Sequence, residues 1–327
     1  MDYEMESTRQ HLIELLQENE QCYISGQELS TKLHISRTAV WKHMKELEKD
    51  GYVIDAKPRK GYKITSAPNK MSQNTLQWGL QTEWLGKSIV HKPTIASTQT
   101  LAKQLAATGA EHGTIVIADE QTAGRGRMQR TWHSRKGEGI WMSLILRPEI
   151  LPNKAPQITL LVATVIAEVL SNFNVKPLIK WPNDILINDK KVSGILTEMQ
   201  AEQDQIEFMV IGIGLNVNQS KDMFPADLKP IATSLKIQSG QKLDPIVMTQ
   251  QILMKFEDVY EKYISHGFDV LKGNWLKYGY KLGEKVYIQT AKRQWYGVIE
   301  GIEPDGALRI KNDDGSVETL YSAEIKW

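Results

Sequence analysis

The chain has 327 residues, a formal net charge of +1 and 41% hydrophobic residues, a composition typical of a globular protein of two or three domains. The near-zero charge excludes attraction of the whole molecule to nucleic acid, although it allows a local basic face. A single cysteine, Cys22, excludes an intrachain disulfide and a cysteine-rich metal site, and favours a cytoplasmic location. The longest apolar run, 158–170, is too short to cross a bilayer and contains Glu168, so no membrane partner is expected.

Residues 7–66 have the pattern of three helices followed by a hairpin. Apolar residues recur at helical spacing over 7–19, Ser25 is placed to cap a second helix, and Ser36 to cap a third helix that Gly51 ends. The following stretch alternates like a hairpin with a basic tip. This order predicts the winged form of the helix-turn-helix, a DNA-binding motif.

Basic residues gather in the same segment. Nine basic residues stand between positions 32 and 63, against four acidic ones. We predict that the third helix and the hairpin tip contact DNA, and that a dimer binds a two-part operator because one short module binds weakly. For any single lysine, a solvated helix face is the alternative interpretation. The residues predicted to contact DNA are Gly26, Ser36, Arg37, Thr38, Trp41, Lys42, Lys45, Arg59 and Lys60.

The rest of the chain contains a long α/β region and a short all-β region. Helices are predicted over 97–108, 154–173 and 245–265, and strands over 87–93, 113–119, 139–148, 177–181, 184–199 and 208–218. Short strands with turn signals after Tyr280 predict a small β-barrel. Segment 67–75 has the composition of a linker. The expected domains are therefore 1–67, 68–277 and 278–327.

The segment GRGRMQRTW, residues 124–132, has the chemistry of an anion-binding loop. It is neither a P-loop nor a dinucleotide fingerprint, since Gln81 and Gln129 stand where those motifs require glycine. Its glycines allow consecutive N–H groups to converge, and its arginines add bidentate donors for an oxyanion. A flexible solvated loop is the alternative interpretation.

Two further segments offer groups for an anionic ligand. Lys191 stands at the mouth of an apolar strand, where it can meet a carboxylate or a phosphate. Asp184 can bind Mg²⁺ together with substrate phosphates, although Asn183 and Asp184 can also be simple turn residues. In GIGLNVN, Asn216 offers an amide beside two glycines, and a plain buried strand is the alternative. The sequence lacks any motif for an enzyme nucleophile, so we expect catalysis by positioning and charge stabilisation.

Five segments of the chain together resemble the family of bifunctional biotin protein ligases and biotin operon repressors. In chain order they are STQT (97–100), DEQTAGRGRMQRTW (119–132), KWPNDILIN (180–188), KKVSGILTEM (190–199) and GIGLNVN (212–218). The resemblance covers nearly the whole chain. It implies a multidomain α+β fold with an N-terminal winged helix-turn-helix. It also implies a central domain with a mixed sheet and helices, like the class II aminoacyl-tRNA synthetase core. A C-terminal SH3-like β-barrel would come after this domain in the chain.

The same resemblance implies a two-step reaction and a regulatory role. Biotin and MgATP would form biotinoyl-5′-AMP, and biotin would then pass to a lysine of a biotin carboxyl carrier protein, such as that of acetyl-CoA carboxylase. Biotinoyl-AMP would act as corepressor by favouring a homodimer on a biotin-biosynthesis operator. The cofactors implied are ATP and Mg²⁺.

Roles for single residues also follow from the resemblance. Gln99 stands where the family often has asparagine. The expected biotin-binding residues are Ser97, Thr98, Gln99, Gln121, Gly124, Arg125, Gly126, Arg127 and Lys191. The expected nucleotide-binding residues are Trp132, Lys180, Asn183, Asn216 and Phe224. The expected catalytic residues are Arg125, Arg127, Arg130, Lys191 and Asp184, with Asp184 also the candidate Mg²⁺ ligand.

Two other functions stay open on the sequence. The chain could be a repressor that senses a ligand without catalysis, or a protein ligase for another acid such as lipoate. The phosphate-directed charge of Arg125, Arg127, Arg130 and Lys191 speaks against the first alternative. The GRGR segment and the DNA-binding module speak against the second.

Overall fold

The computed structural model describes residues 8, 11–13, 15, 16, 19, 22–49, 51–66, 71–78, 80–290, 293–321 and 323–326. Contacts between Cα atoms divide the chain into two compact units, residues 1–81 and 82–327. The finer division into domains 1–67, 68–277 and 278–327 stays a prediction.

The first unit has the predicted winged arrangement. Residues 8, 11–13, 15 and 16 are helical. They precede α1 (Gly26–Lys32), α2 (Arg37–Lys49) and a hairpin of β1 (Val53–Lys57) and β2 (Gly61–Ser66). The Ser25 and Ser36 hydroxyls accept hydrogen bonds from the Glu28 and Ala39 amides, at 3.0 and 3.1 Å, which confirms both predicted caps. The core of this unit is Leu12, Ile13, Leu16, Ile24, Leu29, Val40, Met44, Leu47, Tyr52 and Ile64.

The prediction that residues 67–75 form a linker is wrong for the second half of this segment. Helix α3 (Gln73–Gln77) begins there, and residues 67–70 lie outside the described residues. Ser72 and Thr75 form a capping box, in which each side chain accepts a hydrogen bond from the backbone amide of the other, at 3.1 and 2.9 Å. The polar composition that suggested a linker is therefore the start signal of a helix.

The second unit is built on a seven-stranded mixed sheet, as predicted. Its strands are β3 (Ile89–Lys92), β4 (Ile115–Ala118), β5 (Gly139–Leu146), β6 (Leu178–Lys180), β7 (Asp184–Ile187), β8 (Lys190–Glu202) and β9 (Gln205–Asn216). Their spatial order is β3-β4-β5-β9-β8-β7-β6. Only the β3–β4 pair is parallel among these neighbours.

The sheet is accompanied by five described helices, three of which lie at the places predicted and two of which were not predicted. They are α4 (Thr98–Ala107), α5 (Ala155–Ser171), α6 (Leu235–Ser239), α7 (Pro245–His266) and α8 (Asp269–Tyr278). The helical segment Pro152–Ser171 extends beyond the apolar run 158–170 and is long and apolar enough to cross a membrane, but 72% of its most apolar 18-residue window is buried inside the fold, as in a core helix. The sequence did not predict α8, because Gly273 weakens its helical pattern; burial of Leu271 and Trp275 stabilises it instead.

The chain ends in a five-stranded antiparallel sheet, which confirms an all-β C-terminal region. Its strands are β10 (Lys285–Gln289), β11 (Gln294–Ile302), β12 (Leu308–Asn312), β13 (Val317–Leu320) and β14 (Glu324–Lys326), in the spatial order β13-β12-β11-β10-β14. The turn before β12 contacts the central sheet. Trp181 Nε1 donates to the Gly306 carbonyl at 3.1 Å, and Gln157 Nε2 to the Pro304 carbonyl at 2.7 Å. This turn therefore supports the KWPND segment itself through Trp181, and helix α5 through Gln157.

A single carboxylate anchors the start of the second unit. Glu257, on α7, is 8% exposed. Its carboxylate oxygens accept hydrogen bonds from the backbone nitrogens of Glu83, Trp84 and Leu85, at 2.6, 3.0 and 2.7 Å. The neighbouring Glu261 accepts only the Trp84 indole N–H, at 2.8 Å, near the surface. The hydrogen bonds of these three backbone N–H groups therefore depend on the Glu257 carboxylate.

We expect Glu257→Ala to lower the free energy of unfolding of the second unit by about 3 kcal/mol, because it removes the shared acceptor of one buried and two partly buried backbone amides. Thermal and urea unfolding would measure the loss. The matched variant Glu261→Ala should cost about 1 kcal/mol or less, since its bond is exposed. Equal losses in the two variants would contradict the anchoring role.

Candidate functional site

The predicted anion-binding loop folds back on itself above the central sheet. Gly126 N donates to the Arg130 carbonyl at 2.7 Å, and Trp132 N to the Gly124 carbonyl at 2.9 Å. A Cβ on residue 124 would lie 2.5 Å from the Trp132 carbonyl oxygen, so this turn requires glycine. Met128 and Gln129 at the tip have left-handed φ values of 53° and 60°. The loop thus has a defined conformation here, and its closure on a ligand stays a prediction.

The indole of Trp132 packs against a part of the sheet where glycines leave no side chains. Gly194 on β8 and Gly214 on β9 are direct cross-strand partners. A Cβ on Gly214 would come within 2.4 Å of the indole, and one on Gly194 within 3.0 Å. Trp132 Nε1 is buried without a hydrogen-bond partner among the described residues. Gly214, one of the two glycines in GIGLNVN, therefore makes room for Trp132 in this state.

Charged residues of the KWPND and KK segments meet beside this indole. Lys191 Nζ lies 2.7 Å from Asp184 Oδ1 and 5.2 Å from the centre of the Trp132 ring. Lys180 is the cross-strand partner of Asp184. Burial lowers the pKa of Lys180; the charge of Asp184 opposes this shift, and the charges of Lys191 and Arg130 add to it. The structure thus brings two of the predicted cations, Lys180 and Lys191, together at Asp184.

The arginine-glycine loop is tied to the KWPND segment by one side chain. Arg127 Nη1 donates to Asn183 Oδ1 at 2.9 Å, and Asn183 Nδ2 donates to the Ile195 carbonyl at 2.8 Å. Asn183 is therefore buried as a bridge between the loop and β8. Arg125 and Arg130 are exposed.

Polar residues form a second cluster where α4 begins. Gln121 Oε1 accepts the Thr98 amide at 2.8 Å and lies 3.0 Å from Thr98 Oγ1. Gln121 Nε2 donates to Ser134 Oγ at 2.8 Å. Ser97 instead caps α4, with its hydroxyl facing the Thr100 amide at 3.4 Å. Thr98 and Gln121 are thus together, whereas the hydroxyl of Ser97 serves the helix.

Two residues predicted to bind a nucleotide, Asn216 and Phe224, pack within the protein in this state. Asn216 Nδ2 donates to the Thr233 carbonyl at 2.9 Å, and its Oδ1 accepts Gln219 Nε2 at 3.1 Å. Phe224 is buried behind a short 3₁₀ turn over 221–223. Their contact with a nucleotide stays a prediction.

Sequence analysis missed three polar residues of this region: Ser134, Ser143 and Glu198. Ser143 is the sole hydroxyl in the otherwise apolar strand GIWMSLIL, and that isolation is the signal that could have found it. Its Oγ donates to Gln99 Oε1 at 3.1 Å, and Gln99 Nε2 donates to Glu198 Oε2 at 3.0 Å. Only the packing of α4 onto the sheet brings these residues together.

The described residues contain no group of three or more His, Cys, Asp or Glu side chains able to hold a metal ion. Asp184 is a single carboxylate already paired with Lys191. Such a site fits Mg²⁺ that arrives with a phosphate substrate and keeps most of its own ligands, because Mg²⁺ commonly takes one or two protein carboxylates.

Most residues predicted to contact DNA are exposed. Arg37, Thr38 and Lys42 are exposed on α2, and Trp41 beside them has 53% of its surface open to solvent. Lys45 is also exposed but pairs with Glu48 at 2.6 Å.

The remaining predicted DNA contacts lie in the turns of this unit. Arg59 and Lys60 are exposed in the turn between β1 and β2. Gly26 is partly buried at the start of α1, where a Cβ would come within 3.4 Å of the Tyr62 ring. Ser36 serves as a cap, so the exposed basic residues are the better candidates for DNA contact.

Family models match three parts of the chain. Residues 8–63 match an HTH domain, residues 92–216 the biotin/lipoate A/B protein ligase family, and residues 281–326 the biotin protein ligase C terminal domain. These parts correspond to the winged segment, the central sheet and the C-terminal sheet.

Whole-chain relatives agree with these matches. The chain is 48% identical to the bifunctional ligase/repressor BirA of Bacillus spizizenii, over 98% of this chain and 99% of that protein. It is 46% identical to the protein of the same name in Bacillus subtilis, with the same coverage. The biotin protein ligase of Aquifex aeolicus, solved in complex with biotin and ATP, is 27% identical with a TM-score of 0.64 and covers 73% of this chain and 99% of its own.

We expect two variants to move the pKa of Lys180 in opposite directions. Asp184→Asn removes the charge that raises this pKa and should lower it further; Lys191→Met removes a like charge and should raise it. Titration of ¹³C-methylated lysines by NMR, with Lys180→Met to assign the signal, would measure both shifts. Shifts of the same sign would contradict the proposed coupling of the three charges.

Proposed function

The chain belongs to the family of bifunctional ligase/repressors, and on that premise we propose that it activates biotin with ATP, transfers it to protein and represses transcription. The observation that carries the proposal is the cluster of Lys191, Asp184 and Lys180, in which Lys191 Nζ lies 5.2 Å from the centre of the Trp132 ring and Arg127 is hydrogen-bonded to the neighbouring Asn183. This concentration of cations beside an aromatic ring suits a carboxylate and a nucleotide phosphate held together.

The first reaction joins two anions, and this explains the need for cationic side chains. A biotin carboxylate oxygen attacks the α-phosphorus of ATP, an O–P bond forms, and pyrophosphate leaves with the electrons of the broken bond. Cations must screen the repulsion between carboxylate and phosphate before the bond can form. Lys191 is proposed to hold the carboxylate and then the adenylate phosphate, with Arg125, Arg127 and Arg130 assisting. No enzyme nucleophile is required, in line with the sequence analysis.

Asp184 is proposed to position Lys191 and to contribute a ligand to the Mg²⁺ that ATP brings. The magnesium ion would neutralise phosphate charge when the nucleotide is bound. Lys180, partly desolvated beside Asp184, is proposed to contact the phosphates or the incoming lysine. Asn183 would keep Arg127 in place through the 2.9 Å hydrogen bond.

The rest of the ligand is assigned to the neighbouring clusters. Thr98 and Gln121 are proposed to bind the ureido head of biotin, with the loop backbone at Gly124 and Gly126 closing over the chain. Trp132 is proposed to stack on adenine, with Asn216 and Phe224 nearby. The indole contacts Gly194 and Gly214 in this state, so binding would exchange that contact for a ligand contact.

The second reaction transfers the acyl group. The neutral ε-amine of a lysine on a biotin carboxyl carrier protein attacks the carbonyl carbon of biotinoyl-AMP, an amide bond forms and AMP leaves. Water would hydrolyse this mixed anhydride, so a loop that covers it would protect the product. The Arg-Gly loop is proposed to act as that lid.

Repression is proposed to depend on the same intermediate. Biotinoyl-AMP would order the loop and favour a homodimer that binds two operator halves through α2 and the β1–β2 turn. Such a switch requires that the ligand bind one state more tightly than the other. Carrier protein and a second copy of the chain would then compete for one surface.

We expect pyrophosphate release with biotin and none above background with lipoate. Lys191→Ala should reduce the rate at least 100-fold, since it removes a cation at developing charge, while the neighbouring variant Lys190→Ala should stay within threefold. A coupled pyrophosphate assay, followed by transfer to a carrier domain, measures this. Full activity of Lys191→Ala would contradict the role proposed for Lys191. Pyrophosphate release with lipoate alone would indicate a lipoate-type ligase. Binding of biotin without pyrophosphate release would indicate a repressor that senses the ligand without catalysis.

We expect Lys60→Ala to weaken binding to an operator selected from a random DNA library and to lower the salt-dependence slope by about 1, because one phosphate contact is lost. The control is Lys49→Ala, whose ammonium already pairs with Glu46 at 2.7 Å and should change the slope little. Fluorescence anisotropy at several salt concentrations, with and without biotinoyl-AMP, would measure both. Affinity that does not respond to the adenylate would contradict the corepressor role.

A further inference from the structure

Lys191 faces the candidate site because strand β8 carries an extra residue. Lys191 and Ser193 are the partners of consecutive residues on β7, so Val192 forms a β-bulge between them. In a regular strand the side chains at 191 and 194 would lie on opposite faces of the sheet, and the bulge brings them to one face. A Cβ on Gly194 would lie 3.0 Å from Lys191 Cε, in agreement with this placement.

The turn that leads into the bulge has two residues, both with left-handed backbone. Asn188 and Asp189 have φ values of 49° and 61°, and they join Ile187 to its partner Lys190. Asparagine and aspartate adopt such values more readily than other residues with a side chain, as in the type I′ turns of hairpins. A shift of this turn would change the pairing that follows it. The direction of Lys191 therefore depends on how the turn is held.

Tyr280, which follows α8, holds this turn. It is 9% exposed. Its backbone N–H donates to the Ile179 carbonyl on β6 at 2.9 Å, and its hydroxyl donates to Asp189 Oδ1 at 2.7 Å. Burial, the hydrogen bond to Asp189 and nearby negative charge raise the pKa of the Tyr280 hydroxyl to about 12, so it keeps its proton at neutral pH. One residue thus fastens β6, which carries Lys180, to the turn before Lys191.

A second set of hydrogen bonds joins the turn to the backbone of Lys191. Asn188 Nδ2 donates to Gln238 Oε1 at 2.7 Å, and Gln238 Nε2 donates to Thr233 Oγ1 at 2.8 Å. The Thr233 N–H then donates to the Lys191 carbonyl at 2.9 Å. The bond between Asn188 and Gln238 is exposed, so it holds the turn less firmly than the bond from the buried Tyr280.

We propose that Tyr280 is a positioning residue for Lys191, because it holds the turn before the β-bulge and so directs the ammonium group at the anionic end of the ligand. This inference rests on the proposed function, since it takes Lys191 as the residue that binds the carboxylate. Tyr280 itself need not touch substrate. A charge-assisted hydrogen bond requires close contact, so displacement of the ammonium by about 1 Å is enough to weaken it.

Tyr280→Phe tests the inference, because it keeps the ring and the backbone bond and removes the hydroxyl that donates to Asp189. We expect the Kd for biotin, measured by calorimetry, to rise about fivefold, a part of the loss that follows removal of a charge-assisted hydrogen bond. The second probe is biotin methyl ester, which has no carboxylate charge. Its Kd should stay within about twofold of the wild-type value, because Lys191 holds no anion there.

The matched control is Tyr287→Phe, which removes a tyrosine hydroxyl that donates to Gln294 within the C-terminal sheet. It should leave the Kd for both probes within about twofold. Two variants of the acceptor test the same bond if Tyr280→Phe does not fold. Asp189→Asn keeps an oxygen acceptor and should bind biotin almost as the wild type does. Asp189→Gly accepts the left-handed φ but loses the acceptor, so it should resemble Tyr280→Phe.

A double-mutant cycle separates positioning of Lys191 from a general effect on the fold. In a protein that already carries Lys191→Ala, Tyr280→Phe should change the Kd for biotin less than about twofold, because its effect passes through Lys191. An effect through the stability of the second unit would persist without the lysine.

The possible results distinguish this inference from the proposed function. Wild-type protein that neither binds biotin nor releases pyrophosphate would overturn the proposed function itself. Wild-type protein that binds biotin, with folded Tyr280→Phe and Asp189→Gly variants that keep the same Kd, would overturn only this inference. Equal weakening of biotin and its methyl ester, or an undiminished effect beside Lys191→Ala, would also overturn it, because either result indicates a structural role.

Discussion

The functional site depends on an area of the central sheet that carries no side chains. Gly194 and Gly214 are cross-strand partners on β8 and β9, and Gly212 lies two residues away on the same face. This bare area lets the Trp132 indole lie against one part of the sheet and the Gln99 amide against another. Any side chain at these three positions would displace the groups that are proposed to surround the ligand. The register between β8 and β9 is therefore the constraint on which the site is built.

Around that area the structure separates two kinds of polar chemistry. On one side stand charges, with Lys191 and Asp184 paired beside Lys180. On the other side stand neutral groups, joined in sequence from Gln99 to Gln121. A ligand with an anionic end and a neutral ureido end matches this division. Screening of phosphate charge and binding of the head group are thus proposed for different residues.

The remaining elements keep this arrangement in place. The turn at Pro304–Gly306 supports Trp181 and α5 from the C-terminal sheet, and Glu257 fastens the segment that enters β3. Asn183 connects Arg127 to β8. The contacts of Trp181, Gln157 and Glu257 lie outside the groups that are proposed to touch substrate, whereas Asn183 holds Arg127, which is one of those groups. They connect stability to function, because a shift in any of them would move the KWPND segment or the loop.

Periodicity, caps and motifs in the sequence were sufficient to determine the winged segment, the main strands and helices of the central sheet, and the cationic residues at Arg127, Lys180 and Lys191. Local signals sufficed there because each depends on residues a few positions apart. Helix α8 and the polar chain through Ser143 and Glu198 were decided by tertiary structure. The burial of Trp275 outweighs a weak helical pattern, and hydrogen bonds between residues 44 to 111 positions apart leave no local trace. The contacts that join Gln99, Ser143, Thr98 and Gln121 exist only once α4 packs on the sheet.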